Sequence, residues 1–213
     1  MKGDYNIQDR ELFQALKILS EALDEQNVSY FIFGGVAAQA QIVSMETESG
    51  RKDIKTVDSD KLRKTGDIDM YIADENAILF FNELAALNPQ HRIVNKPSYV
   101  EIGPIMVNYV TEPFELKGFE ELVSEQLIRR EELCLRRGNT NIRLEVSPIE
   151  YLIAAKLSGN SIQVKDEKDI HFLVEASKKA KNPINQEVIR DLLKSMNKED
   201  RYFVLEQLIR EGI

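Results

Sequence analysis

Apolar positions recur at helical spacing near the start of the chain. Leu12, Leu16, Leu19 and Leu23 fall on one face of a helix predicted over 8–26, with Asp9 as its cap. Residues 28–33, VSYFIF, form a continuous apolar run and predict a buried strand. Gly34-Gly35 ends that run, and the Ala-rich stretch 36–43 predicts a helix. Periodicity is then lost over 44–65, a long charged loop that is either a solvated insertion or a flap over substrate. Residues 66–73, GDIDMYIA, alternate acid and apolar. Asp67, Asp69 and Tyr71 share one face of that strand, and Ile68, Met70 and Ile72 the other.

A helix over 75–87 ends at Asn88-Pro89. Three short strands follow, RIVN, SYVEI and IMVNYV, the last two joined at Gly103-Pro104. Residues 117–130 predict a helix, and LCLRR and IRLEV flank a hairpin turn at Gly138-Asn139. From Ser147 the texture is helical. Ser147-Pro148-Ile149-Glu150 reads as a capped start, with helices over 148–158, 166–180, 185–195 and 198–211. The expected architecture is α/β (α+β): a small mixed, twisted sheet flanked by helices over 1–146, then a helical C-terminal part over 147–213 closing one side of a cleft.

Composition narrows the picture. A chain of 213 residues is long enough for a substantial core. The single cysteine, Cys134, excludes an internal disulfide framework and any multi-Cys zinc site, and favours a reducing, cytoplasmic setting. Its apolar neighbours predict a buried, inert thiol. No run approaches a membrane span, and residues 1–13 lack a signal-peptide core. A net charge of −8 argues against a broad sequence-independent nucleic-acid coat.

The chemistry lies in two pieces, Gly34-Gly35 and Asp67-Ile68-Asp69. Carboxylates at i and i+2 of a strand point the same way and repel unless a cation joins them. Oxygen ligands with retained waters and substrate phosphates suit Mg²⁺, or Mn²⁺ in its place. A glycine pair between strand and helix lets backbone approach a phosphate, where the helix N-terminus offers free N–H groups. Together these pieces describe a site for a nucleoside triphosphate and its metal.

In these motifs the chain resembles the DNA polymerase β-like nucleotidyltransferase superfamily, in particular its small bacterial and archaeal members, abortive-infection type toxins included. Gly34, Gly35, Asp67 and Asp69 match the first motif, with Arg63 and Thr65 in the lead-in R-x-T-x-D-x-D. Ser147, Pro148, Glu150, Leu152, Ile153, Ala154, Lys156 and Leu157 match a second block, followed by Lys168-Asp169. The resemblance implies catalysis at Asp67 and Asp69, both metal ligands, and at a third position on a later strand. It also implies nucleotide contacts at Gly34, Gly35, Arg63, Thr65, Lys156 and Lys168.

Three departures stand out. The third carboxylate position holds Asn108, whose amide can lend a neutral oxygen but cannot take a hydroxyl's proton. The gap between Gly35 and Asp67 is long. The motif usually written R-x-K-D-x-x-D reads Asp166-x-Lys168-Asp169-x-x-Phe172.

The implied activity is transfer of a nucleoside monophosphate from NTP–Mg to a hydroxyl on RNA, protein or a small molecule. The alternative is a weakened nucleotide- or partner-binding module, such as a toxin–antitoxin component whose partner is an antitoxin. A two-residue turn at Gly103-Pro104 would pair Glu101 with Met106, placing Glu101 on the face of Asn108 as the nearest substitute acid.

Overall fold

A computed structural model describes residues 5–46, 53–73, 77–96, 98–111, 129–159, 161–181 and 183–210. The chain opens with α1 (Arg10–Glu25), β1 (Tyr30–Phe33) and α2 (Gly34–Glu46), followed by β2 (Asp67–Ile72) and α3 (Ala77–Leu87). Next come β3 (Ile93–Asn95), β4 (Tyr99–Ile102), β5 (Ile105–Val110), β6 (Glu131–Arg137) and β7 (Thr140–Val146). Four helices complete it: α4 (Ile149–Ser158), α5 (Val164–Ala180), α6 (Gln186–Ser195) and α7 (Tyr202–Arg210). Most of the predicted helix over 117–130 lies outside the described residues.

The strands form one mixed sheet in the order β3-β4-β5-β2-β1-β7-β6. β1 runs antiparallel to β2 and parallel to β7, while β2 runs parallel to β5. Alternation along each strand separates two faces. Ile32, Ile68, Met70, Val107 and Val146 point into the main core with Leu12, Leu16 and Leu19 of α1. Asp67 and Asp69 point the other way. The expected fold class, a mixed sheet flanked by helices with helices gathered after residue 147, is the one observed.

α2 is buried along nearly its whole length, which accounts for its alanines. β1, β2 and β6 pack against it, as do α4 and α5; α6 packs on α4, and α7 on α4, α5 and α6. Its two buried amides are both satisfied. Gln39 accepts from the Ile7 N–H (2.7 Å) and donates to the Arg63 carbonyl (2.8 Å). Gln41 donates to Glu131 (2.7 Å) and to the Ser147 carbonyl (3.1 Å).

Several local expectations need correction. Residues 44–46 extend α2, and 53–65 are anchored to the core rather than wholly solvated. Ile54, Val57 and Leu62 in this segment are buried, on and beside two short 3₁₀ turns. Gln8 donates to the carbonyls of Ile54 (2.9 Å) and Val57 (2.6 Å), and Asp53 accepts from the Gly138 N–H. Three anchors at irregular spacing leave no periodic signal to read.

Cys134 is exposed, not buried, because the period of two turns Leu133 and Leu135 inward and the thiol outward. The Ser147 cap does not form: Ser147 is fully buried, Pro148 takes the cap position, and Glu150 instead accepts from the Asn185 N–H (2.9 Å). Asp9 stands at the cap of α1, but its carboxylate accepts from the Asn6 N–H (2.8 Å) rather than from the helix.

Candidate active site

β2 supplies Asp67 and Asp69 on one face, and parallel pairing sets Asn108 of β5 opposite Asp69. The Asn108 amide nitrogen donates to Asp67 Oδ2 (3.2 Å) and to Asp69 Oδ1 (3.0 Å), so all three side chains converge. Thr65 Oγ1 donates to Asp67 Oδ1 (3.1 Å) and steadies that carboxylate from the preceding loop. Thr65 is itself held by paired backbone bonds with Tyr5, at 2.7 and 2.6 Å. Burial pushes the Asp69 carboxyl above the usual carboxylate range. The Asn108 hydrogen bond opposes this, the Asp67 charge adds to it, and the charges of Lys156 and Lys165 oppose it.

On the neighbouring strand Phe33 pairs with Asp69, and α2 starts at the next residue. Gly34 has φ +68°, a left-handed conformation that glycine adopts without strain. A Cβ there would stand 2.6 Å from Asp69 Oδ2. At Gly35 a Cβ would stand 2.5 Å from Arg63 Nη2 and 3.3 Å from Thr65 Oγ1. The glycine pair thus admits the protein's own carboxylate and guanidinium against the head of α2.

Arg63 and Lys156 meet at a buried acid. Arg63 donates from Nε and Nη2 to the two Asp169 oxygens, at 3.0 and 3.1 Å. Lys156 Nζ donates to Asp169 Oδ2 (2.7 Å) and to Asp166 Oδ1 (3.3 Å). Asp169 is 2% exposed, so its charge depends on these partners. Lys168 is exposed and makes no ion pair among the described residues. Asp169 and Lys165 were absent from the residues singled out for the site by sequence. The Lys168-Asp169 pair was the one signal for Asp169, and nothing in the sequence set Lys165 apart from its neighbours.

Glu101 pairs with Met106 and Ile102 with Ile105, as the two-residue turn required. Glu101 therefore shares the sheet face of Asn108, two positions along.

No group of three or more His, Cys, Asp or Glu side chains placed to hold a metal stands together among the described residues. The donor set here is two carboxylates and one amide. Such a set suits a hard cation that keeps water and substrate oxygens in its remaining positions.

No helix among the described residues is long and apolar enough to cross a membrane. No protein-family model and no curated protein sequence matches the chain. Among solved structures, it is similar to the antibiotic-resistance factor ANT(2'')-Ia, with TM-score 0.42 and 18% identity over 94% of this chain and 99% of that one. It is also similar to a tRNA-processing enzyme, with TM-score 0.31 and 14% identity over 98% of this chain and 58% of that one. An antigenic nucleotidyltransferase-like protein from Paracoccidioides brasiliensis aligns over 94% of both chains, with TM-score 0.50 and 15% identity. With its mixed sheet, its central buried helix and this alignment over 94% of both chains, the chain has a nucleotidyltransferase-like fold.

Proposed function

We propose that this protein is a metal-dependent nucleotidyltransferase that moves a nucleoside monophosphate from a nucleoside triphosphate to a hydroxyl. The observation that carries this reading is the convergence of Asp67, Asp69 and Asn108 beside the glycine-led start of α2. Asp67 and Asp69 would hold Mg²⁺ or Mn²⁺, which supplies charge neutralisation at the triphosphate. The acceptor oxygen attacks the α-phosphorus, the bond to the β-phosphate oxygen breaks, and pyrophosphate leaves. The hydroxyl proton passes to a carboxylate oxygen of the Asp pair, since the Asn108 amide cannot accept it.

Gly34 and Gly35 shape the phosphate end and Thr65 orients Asp67. Arg63 and Lys156 border the site through Asp169, with Lys168 exposed on the same helix. The chain divides in this reading into a core over 1–146 and a helical part over 147–213. The acceptor is a hydroxyl of RNA, of a protein or of a small molecule, and the setting is the cytoplasm.

A second reading rests on Asn108. A neutral amide that donates to both carboxylates fits a weakened module that binds nucleotide or a partner, such as a component of a toxin–antitoxin pair.

The test is incubation with each labelled nucleoside triphosphate and Mg²⁺ or Mn²⁺, with total RNA, cell lysate and small hydroxyl compounds as acceptors. Transfer that disappears in Asp69→Ala supports the enzyme. Binding without transfer selects the second reading, and neither binding nor transfer sinks both.

A further inference from the structure

A triphosphate beside two carboxylates needs positive charge from the protein as well as from a metal. Arg63 and Lys156 are the obvious donors, yet both are already matched. Arg63 with Lys156 carries two positive charges, and Asp169 with Asp166 carries two negative ones. The cluster is neutral as a whole. The Lys156 side chain is 9% exposed and the Arg63 side chain 19%, so neither extends freely into solvent. Arg63 also spends Nη1 on the Lys64 carbonyl (2.9 Å).

Asp169 fixes the rotation of α5. Its bonds to Arg63, which lies against Gly35, dock one face of the helix at the head of α2. At 100° per residue, Lys165 stands 40° from Asp169 around the helix axis and one turn earlier, whereas Lys168 stands 100° away. Lys165 is exposed, in the first turn of α5. Among the described residues it makes no ion pair.

We propose that Lys165 is the side chain that contacts the triphosphate, and that Asp169, with Arg63 and Lys156, is the latch that presents it beside Asp69. Asp169 is then a positioning residue, acting through the placement of α5. The assignment rests on the proposed nucleotide site. It gives Lys165 a role that a stretch of five charged residues, 165–169, does not reveal in sequence.

The test measures equilibrium binding of non-hydrolysable analogues of the four nucleoside triphosphates in Mg²⁺. Lys165→Ala should weaken binding about tenfold, the effect of losing one charge-assisted contact worth about 1.4 kcal/mol. Lys165→Arg should recover most of it, and Lys194→Ala on α6 should change nothing. The loss should shrink for the nucleoside monophosphate, and the melting temperature of Lys165→Ala should match wild type because the side chain is exposed. Wild-type binding with an unaffected Lys165→Ala, or a larger loss in Lys168→Ala than in Lys165→Ala, overturns this assignment alone. No triphosphate binding by the wild type overturns the nucleotide site and this assignment with it.

Discussion

Asp69 Oδ2 occupies the space that a side chain at Gly34 would need, 2.6 Å from the position of its Cβ. The carboxylate and the glycine are therefore one device. Strand β2 aims the acid, and the absence of a Cβ at the head of α2 lets it settle there. Gly34→Ala should cost about 1–3 kcal/mol, combining strain at φ +68° with displacement of Asp69. Urea unfolding measures the cost, and transfer should fall with it. A variant with wild-type stability and transfer would mean that the glycine imposes no constraint.

Removing Asp169 strands two cations. Asp169→Ala leaves Arg63 and Lys156 in largely buried positions without their shared acceptor, so a loss of about 3–5 kcal/mol is expected. Asp169→Asn keeps the hydrogen-bonding shape and should lose less. Denaturation midpoints for the two variants decide the point, and equal, small losses would refute it.

Burial raises the Asp69 carboxyl, so the folded metal-free protein holds this proton to higher pH than the unfolded chain. Stability from this group therefore falls as pH rises from the ordinary carboxylate range through the raised value. Asp69→Asn should remove that loss and raise the neutral-pH melting temperature of the metal-free protein. The gain should vanish near pH 3. Melting curves in chelator across this range test it, and a destabilised Asp69→Asn at neutral pH contradicts it.

Asn108→Asp places a third negative charge against Asp67 and Asp69 and removes the amide that donates to both. The metal-free variant should lose about 1–3 kcal/mol. Added Mg²⁺ should then raise its melting temperature more than it raises that of wild type. A thermal titration with Mg²⁺ reads both effects, and an equal Mg²⁺ response in the two proteins would exclude position 108 from the metal's surroundings.

Glu101 lies on the same face but pairs with Met106, two positions from Asn108. Glu101→Gln should leave transfer and Mg²⁺ response unchanged. Loss of transfer with intact nucleotide binding would instead make Glu101 the missing acid.

Local pattern made the frame of this protein readable. The alternation in Asp67-Ile68-Asp69-Met70 put both acids on one face, because the strand period is a property of the backbone itself. The Gly103-Pro104 turn set the register of β4 against β5, because a two-residue loop leaves no slack. Asn108 opposite Asp69 followed from motif spacing, although the parallel pairing that joins them spans 39 residues of chain.

Tertiary structure decided the rest. The anchoring of 53–65 depends on three apolar side chains at irregular spacing, which only the finished core brings together. The ionic latch joins Arg63 to Asp169 across 106 residues, and a lysine's charge says nothing about its partner until the chain has folded. Cys134 turned outward on the same backbone period that turned Asp69 toward the site, since its facing depends on which side of the sheet the helices cover. The sequence by itself determined which groups were present and which of them share one face of a strand or helix. Long-range packing alone determined which charges were cancelled and which remained free to meet a ligand.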